Sequence, residues 1–317
     1  MSTLADDVRG ATDVRNSRGV GGGVLLAVLS ATSFGLSGSL ARGLIDAGWS
    51  PGAITLARIG IAALVLVPFA AASLRGRWRA VRAQAPLILV YGVLAVAGAQ
   101  FCYFSAVALM DVGPALLIEY TAPAAVVAWL WLRHGQRPRP LVLAGAALAA
   151  AGLVLVLDLL SGADLAWSGV AWALAAMVGA TAYFLISARP DSGLPPLALA
   201  GGGLLVGAVM LAVLGAVGIL PMRASAQQTG YAIGAMPWWQ PLLLLGLVTA
   251  ALSYTTGIAA SRRLGSRVAS FVALLEVVAG VGFAWLLLAQ LPGAAQLVGG
   301  LLIVAGVVVV KIADRSG

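Results

Sequence analysis

Ten apolar runs, each 20 to 26 residues long, constrain the fold of this 317-residue chain more than any other feature. An α-helix needs about 20 apolar residues to cross the roughly 30 Å hydrocarbon layer of a membrane. The pattern therefore predicts an all-α membrane protein with ten transmembrane helices. The runs cover residues 20–42, 51–74, 85–107, 113–132, 140–160, 166–187, 195–220, 238–260, 266–289 and 293–313.

The composition excludes a water-soluble protein. Hydrophobic residues make up 61% of the chain, charged residues only 9%, and the mean hydropathy is +1.02. A soluble domain carries about 25% charged residues, and so few charges could not cover its surface. Soluble enzymes, nucleic-acid-binding proteins and disordered proteins are thereby excluded, despite the net charge of +8. His134 is the single histidine, which excludes a metal site that needs two, and we expect no metal and no cofactor.

Basic residues alternate between the two sides of the membrane. Sixteen of the nineteen Lys and Arg residues lie in the tails or in every second loop, whereas only Arg42 and Arg223 lie in the opposite loops. Cytoplasmic loops of membrane proteins carry such an excess of positive charge. We therefore expect a multi-pass protein of the inner or plasma membrane, with residues 1–19 and 314–317 as cytoplasmic tails.

The chain repeats itself at an offset of 154 residues. Gly145 and Gly152 of the fifth run recur as Gly299 and Gly306 of the tenth. Each repeat would hold five helices, an odd number, so the two copies would enter the membrane in opposite directions. Inverted repeats are typical of secondary transporters, whose substrate site lies near the midplane between the halves. The expected repeats are residues 20–160 and 166–313.

Two stretches of the chain resemble the EamA family of the drug/metabolite transporter superfamily. The first runs from Tyr103 through Glu119 and Tyr120 to Pro123, and the second runs from Tyr254 to Glu276. The resemblance covers nearly the whole chain after residue 20, and Arg58 in the second run also fits it. It implies that helices 1–4 and 6–9 line a cavity, that helices 5 and 10 form a scaffold, and that the protein exports amino-acid-like metabolites or drugs.

The sequence departs from the family pattern at three positions. Val277 stands where the family often has a proline. Gln136 and Gln290 stand where it often has a glutamate just after the fourth and ninth helices. Those two positions therefore supply no carboxylate in this chain.

Three charged residues lie deep within the apolar runs, away from their ends, and are the first candidates for a site. Glu119 and Glu276 are the only glutamates of the chain. A charge at the bilayer centre costs about 2.5–3.5 kcal/mol, so such groups normally face the bundle interior or a water-filled cavity. Each carboxyl group could bind proton and substrate in turn, or serve as a protonated packing group. Arg58 lies at a depth similar to that of Glu119, where it could pair with Glu119, reach the interface, or contact substrate.

Polar side chains at helical spacing complete the candidate binding site. Gln100 and Tyr103 share a face of the third helix, and Tyr254 loosely repeats the arrangement on the eighth. Serines of the first helix form a stripe that could equally serve close helix packing. Pro123 lies one turn after Glu119, where we expect it to bend the fourth helix as a hinge. The candidates beyond the three charges are Gln100, Tyr103, Tyr120, Tyr254, Ser33 and Ser37.

These observations predict a secondary transporter, not an enzyme, that moves a small polar or amphipathic metabolite by alternating access. Its partners would be the substrate, protons bound at the glutamates, and membrane lipids; the oligomeric state stays open. An uncoupled facilitator is the first alternative. A membrane-embedded enzyme is the second, although no histidine or aspartate lies deep in any run.

Overall fold

A computed structural model of the chain describes residues 2–110, 112–156, 167–189, 193–289 and 293–315. Six of its helical stretches are long and apolar enough to cross a membrane, and three shorter apolar helices accompany them. The described residues form helices α1 (Ser2–Asp46), α2 (Pro51–Leu74), α3 (Trp78–Ala83), α4 (Ala85–Val90), α5 (Ala99–Leu109), α6 (Val112–Glu119), α7 (Ala122–His134), α8 (Pro140–Val156), α9 (Trp167–Ser187), α10 (Pro196–Ala216), α11 (Trp239–Gly246), α12 (Ser253–Ala273), α13 (Leu275–Leu288) and α14 (Ala294–Arg315), and strands β1 (Thr229–Tyr231) and β2 (Gly234–Met236).

The helix bounds bear on several sequence-based expectations. Helix α1 begins at Ser2, so the backbone of the expected N-terminal tail continues the first helix. The expected repeat boundaries at residues 160 and 166, Gln290, and the last two residues lie outside the described residues. Ten membrane crossings and cytoplasmic termini stay predictions.

The third and eighth apolar runs each contain a π-helical segment. Tyr91–Gly98 joins α4 to α5, and Leu247–Leu252 joins α11 to α12. π-helical turns are rare and are frequent at functional sites. Here they give both long helices an irregular middle, at similar places in the two halves of the chain.

The fourth run is split into two helices beside a glutamate. Helix α6 ends at Glu119 and α7 begins at Ala122, with Pro123 in its first turn. A proline has no N–H to donate to the carbonyl four residues earlier, and its ring clashes with that carbonyl. For Pro123 that carbonyl belongs to Glu119. The helix is therefore interrupted at Tyr120 and Thr121, while a bend or a movement about Pro123 stays a prediction.

The ninth run is interrupted at Leu274, which corresponds to the interruption in the fourth run, although no proline lies there. A second irregularity lies earlier in the same helix. Gly265 has φ 77° and ψ 163°, a backbone conformation that requires glycine, and it separates the eighth run from the ninth within α12. Helix α12 ends at Ala273 and α13 begins at Leu275, so Glu276 lies in the first turn of α13. Both halves of the chain thus place a carboxyl group next to an interrupted helix.

The glycines that revealed the repeat pack against each other. A Cβ atom built on Gly145 would lie 3.0 Å from the carbonyl oxygen of Gly306, and one built on Gly152 would lie 2.6 Å from that of Gly299. Helices α8 and α14 therefore run antiparallel in close backbone contact, each using the same pair of positions. This pairing is what two oppositely oriented copies of one repeat would produce.

A polar hairpin covers one end of the bundle. The loop after α10 carries the antiparallel strands β1 and β2. The Tyr231 hydroxyl donates to the Leu40 carbonyl at 3.0 Å, and the Ala232 amide donates to the Leu287 carbonyl at 2.7 Å. Burial raises the pKa of Tyr231 to about 12, which keeps its hydroxyl a neutral donor. The hairpin therefore ties α1 to α13 at this end.

We predict that Gly306→Ala destabilises the protein by about 1–3 kcal/mol, because the added methyl group overpacks the α8–α14 contact. Its Cβ would lie 2.7 Å from the Gly145 carbonyl oxygen. Gly300→Ala is the control on the same helix, since its Cβ would meet nothing nearer than 3.9 Å. Thermal unfolding in detergent should show a lower midpoint for Gly306→Ala only; equal midpoints would contradict the close contact.

Candidate functional site

An internal cavity of about 70 Å³ lies among α1, α5, the α6–α7 break, α9, α12 and α13. Small apolar residues form much of its wall, and both glutamates reach it. The cavity is therefore a mostly apolar hollow into which a few polar groups project, with room for several water molecules. Its polar and aromatic lining consists of Ser30, Phe34, Gln100, Glu119, Tyr120, Tyr183, Phe184, Tyr254, Ser261 and Glu276.

The two helix breaks hold the glutamates in unequal surroundings. Glu276 lies in the first turn of α13, where the partial positive charge of a helix N-terminus stabilises an anion. The Tyr120 side chain lines the same cavity close to the Glu276 carboxyl group. Glu119 is the last residue of α6, where the partial negative charge of a helix C-terminus opposes an anion. The two glutamates therefore stand at opposite ends of their helices, Glu276 in a first turn and Glu119 in a last turn.

Arg58 lies behind the cavity wall and not in it. Its side chain is fully buried, and its guanidinium donates to the Gln100 side-chain oxygen and to the Thr249 carbonyl. The rings of Phe34 and Phe104 each lie 5.5 Å from the guanidinium carbon. Within the described part of the chain, Arg58 forms no ion pair with Glu119. Arg58 thus binds neutral partners, and the pairing considered from the sequence is not formed.

An aromatic cluster closes one side of the cavity. The Tyr254 ring stacks edge-on against Phe34 at 5.3 Å and against Tyr183 at 5.7 Å between ring centroids. Tyr254 donates its hydroxyl proton to the Ala95 carbonyl at 3.2 Å. Ala95 belongs to the first π-helical segment and Thr249, which accepts from Arg58, to the second. Both irregular segments thus supply backbone acceptors to the polar groups around the cavity.

Two buried hydroxyl groups at the cavity are poorly satisfied by the protein. Ser261 has no hydrogen-bond partner among the described residues, and neither does the Tyr183 hydroxyl. Tyr183 approaches the Ser30 hydroxyl, but Ser30 donates its proton to the Ser253 carbonyl at 2.8 Å. An unpartnered buried polar group costs about 1–3 kcal/mol. Water or a polar ligand in the cavity would satisfy both hydroxyls.

The structure brings together five of the nine predicted binding residues and leaves four outside the cavity. Glu119, Glu276, Gln100, Tyr120 and Tyr254 line it. The other four are buried in helix contacts, with the Tyr103 hydroxyl packed close to Gly38 on α1. These four are Arg58, Tyr103, Ser33 and Ser37.

Sequence reasoning missed four of the polar and aromatic lining side chains, which are Phe34, Tyr183, Phe184 and Ser261. Tyr183 is a lone hydroxyl-bearing ring within an apolar run, which is the same signal that pointed to Tyr254. Phe34 lies one helical turn after Ser30, yet an apolar ring gives no signal in an apolar helix. Ser261 lies next to two arginines and reads as part of a polar loop.

A second, wider hollow of about 440 Å³ lies at the arginine-rich end of the bundle. Its wall includes Gly265, Arg189 and Arg267. It continues along α9 and α12 from the cavity, because Phe184 and Ser261 line the cavity while Leu185 and Leu264 line the hollow. The hairpin covers the opposite end, so the bundle is more open at its arginine-rich end.

Comparison with known proteins agrees with this architecture. The EamA-like transporter family matches residues 21–158 and again residues 167–312. The chain belongs to the EamA-like transporter family. It is thus a multi-pass membrane transporter and not an enzyme, and each of the two matched segments contributes one glutamate to the cavity.

Two curated relatives and one solved structure extend the comparison. Threonine/homoserine exporters RhtA from Salmonella typhimurium strains SL1344 and LT2 are each 28% identical over 251 residues, covering 77% of this chain and 76% of their own. A crystal structure of a protein 23% identical to this chain superposes with a TM-score of 0.70, covering 92% of this chain and 98% of its own. The EamA-like chain therefore shares its fold with a protein seen by crystallography.

We predict that the cavity is wet. In a Cys102→Ser background, Ser261→Cys should react with a small cationic methanethiosulfonate reagent, because thiolates form in water and the glutamates attract cations. Leu64→Cys on the exposed face of α2 is the control, since its side chain, 79% exposed in the bundle, would face lipid. Equal modification rates, followed by mass spectrometry of the protein in liposomes, would contradict a water-filled cavity.

Proposed function

We propose that this EamA-like protein is a secondary active exporter of a small zwitterionic metabolite of the amino-acid class. The observation that carries the proposal is the convergence of Glu119 and Glu276 on one internal cavity. Carboxylates suit the ammonium group of an amino acid or a proton. The relationship to threonine/homoserine exporters supports the same substrate class and the same direction.

We assign different roles to the two glutamates. Glu276, in the first turn of α13 and close to Tyr120, would bind the substrate ammonium group as a carboxylate. Glu119, at a helix C-terminus and without an ion-pair partner among the described residues, would take up the proton that drives substrate out. Proton and substrate would then occupy the cavity in alternation, which couples export to the proton gradient.

Alternating access would use the broken helices. The cavity of about 70 Å³ is much narrower than the hollow beside it, so we expect the bundle to widen as substrate passes between them. The arginine-rich end already has a hollow of about 440 Å³, whereas the hairpin ties α1 to α13 at the other end. Rearrangement at the breaks beside Pro123 and Leu274 would open one end while the other closes, with α8 and α14 as the fixed scaffold.

We place the arginine-rich end in the cytoplasm of the cell, with the protein in the inner or plasma membrane. The excess of basic residues at that end supports this orientation. Substrate would then enter the cavity from the cytoplasm through the wider hollow. The hairpin would face the outside and would be released in the export step.

The orientation predicts which loops are accessible from outside the cell. In the Cys102→Ser background, a membrane-impermeant maleimide should label Gln228→Cys in intact cells, because residue 228 lies in the exposed hairpin loop. Arg77→Cys, in the exposed loop after α2, should be labelled only after permeabilisation. The reverse pattern would show that the hairpin is cytoplasmic.

The roles of the glutamates predict separable transport defects in proteoliposomes. Glu119→Gln should lose threonine flux driven by a pH gradient but keep threonine counterflow, which needs no gradient. Glu276→Gln should lose both, because the substrate ammonium group loses its counter-charge. Asp46→Asn is the control, since Asp46 forms an exposed ion pair with Arg42 outside the cavity.

Each outcome addresses one assignment. Retained pH-driven flux in Glu119→Gln would remove Glu119 as the proton carrier, and retained counterflow in Glu276→Gln would remove Glu276 as the ammonium site. Wild-type flux that ignores the pH gradient would instead identify an uncoupled facilitator, in which Gln100 and the tyrosines recognise substrate.

A further inference from the structure

Arg58 is a buried cation that touches neither the cavity nor an acidic group within the described residues. Its side chain is 0% exposed, and its hydrogen bonds go to Gln100 and to the Thr249 carbonyl. Two aromatic rings flank it at 5.5 Å. A charge kept in the apolar interior at such cost normally has a function, and its partners indicate which one.

The Arg58 guanidinium fixes the orientation of the Gln100 side chain. A guanidinium group has donors only, so the amide oxygen of Gln100 must face Arg58. The amide nitrogen of Gln100 must then face away from Arg58. Gln100 cannot rotate its amide group by 180° without placing N–H against N–H.

Tyr254 lies close to Gln100 but spends its own proton elsewhere. Its hydroxyl donates to the Ala95 carbonyl, so its oxygen is left as an acceptor near the Gln100 side chain. The Gln100 oxygen accepts from Arg58, while its amide N–H groups face away from Arg58. A hydrogen bond accepted by the amide oxygen polarises the amide group, which strengthens the donor character of the Gln100 nitrogen.

The Gln100 amide nitrogen carries two hydrogens, and both face away from Arg58. Gln100 lines the cavity, so an N–H is available to a ligand there. We infer that Arg58 is a positioning residue, which makes Gln100 an N–H donor for the carboxylate of an amino-acid substrate. The substrate would lie between two poles, with its ammonium group at Glu276 and its carboxylate at Gln100. This inference rests on the proposed function and names the group that selects for a zwitterion.

The competing explanation is that Arg58 only ties α2 to α5 and to the second π-helical segment. Such a structural role would lower the amount of folded protein and would affect all ligands alike. A positioning role would change the preference for a carboxylate. The test therefore compares threonine with threoninol, which has the same ammonium group and hydroxyl but no carboxylate.

The experiment measures equilibrium binding of both probes to full-length protein in lipid nanodiscs. The wild type should prefer threonine to threoninol by about tenfold to a hundredfold, the range for one hydrogen bond to a charged group. Arg58→Met should abolish this preference, because the Gln100 amide is then free to rotate. Arg58→Lys should restore part of it, because an ammonium group also has donors only and keeps the Gln100 oxygen facing it.

Gln100→Glu provides a variant that keeps the buried contact. A carboxylate at position 100 would still accept from Arg58, but it has no N–H for the substrate. It should weaken threonine binding by tenfold or more and leave threoninol bound at least as tightly. This variant tests the inference even where Arg58→Met fails to fold.

The results separate the inference from the proposed function. A wild type that prefers threonine, with the same preference in Arg58→Met and Gln100→Glu, would overturn the positioning role and leave the proposed exporter intact. Binding of neither probe by the folded wild type would overturn both the amino-acid substrate and the inference. An equal loss of both probes in Gln100→Glu would make Gln100 a structural residue and overturn the inference alone.

Discussion

Two carboxyl groups in an apolar bundle are the constraint on which the rest of this structure depends. Each would cost about 2.5–3.5 kcal/mol at the centre of a membrane, so neither can face lipid without a large loss of stability. The bundle meets this constraint by placing Glu119 and Glu276 on one internal cavity. The breaks beside Pro123 and Leu274, the aromatic cluster and the buried arginine are all arranged around that cavity.

The sequence predicted the parts of the fold that depend on local physical chemistry. Apolar runs gave the long helices, and Pro123 gave the break after Glu119, because a missing N–H acts on its own helix. The second break has no proline, and Val277 offers no local reason for it. Its position between Ala273 and Leu275 depends on tertiary packing, which no short stretch of sequence encodes.

The charged residues of the site could be predicted from the sequence. Residues that line the cavity only because of how their helix is oriented could not. Glutamates in apolar runs must face a polar interior, and they do. Ser33, Ser37 and Tyr103 lie on helices whose few polar side chains fit a cavity or a close helix contact equally well, so the sequence does not tell which of them meets a cavity. Phe34 gave no signal at all, whereas Tyr183 carried the same signal as Tyr254 and was overlooked. Arg58 was identified as a charge, but its neutral partners follow only from the fold.

The repeat duplicates the backbone but not the chemistry of the site. The 154-residue offset that pairs the glycines of α8 and α14 aligns Glu119 with Ala273 and Glu276 with Ala122. The two carboxyl groups therefore come from opposite sides of equivalent helix breaks, one at a helix C-terminus and the other at a helix N-terminus. Two glutamates at the same aligned position would both lie at the same kind of helix end, so both would meet the same partial charge. Because they do not, the two carboxyl groups lie at helix ends of opposite partial charge, and this difference is the basis on which we propose that they divide the binding of proton and substrate between them.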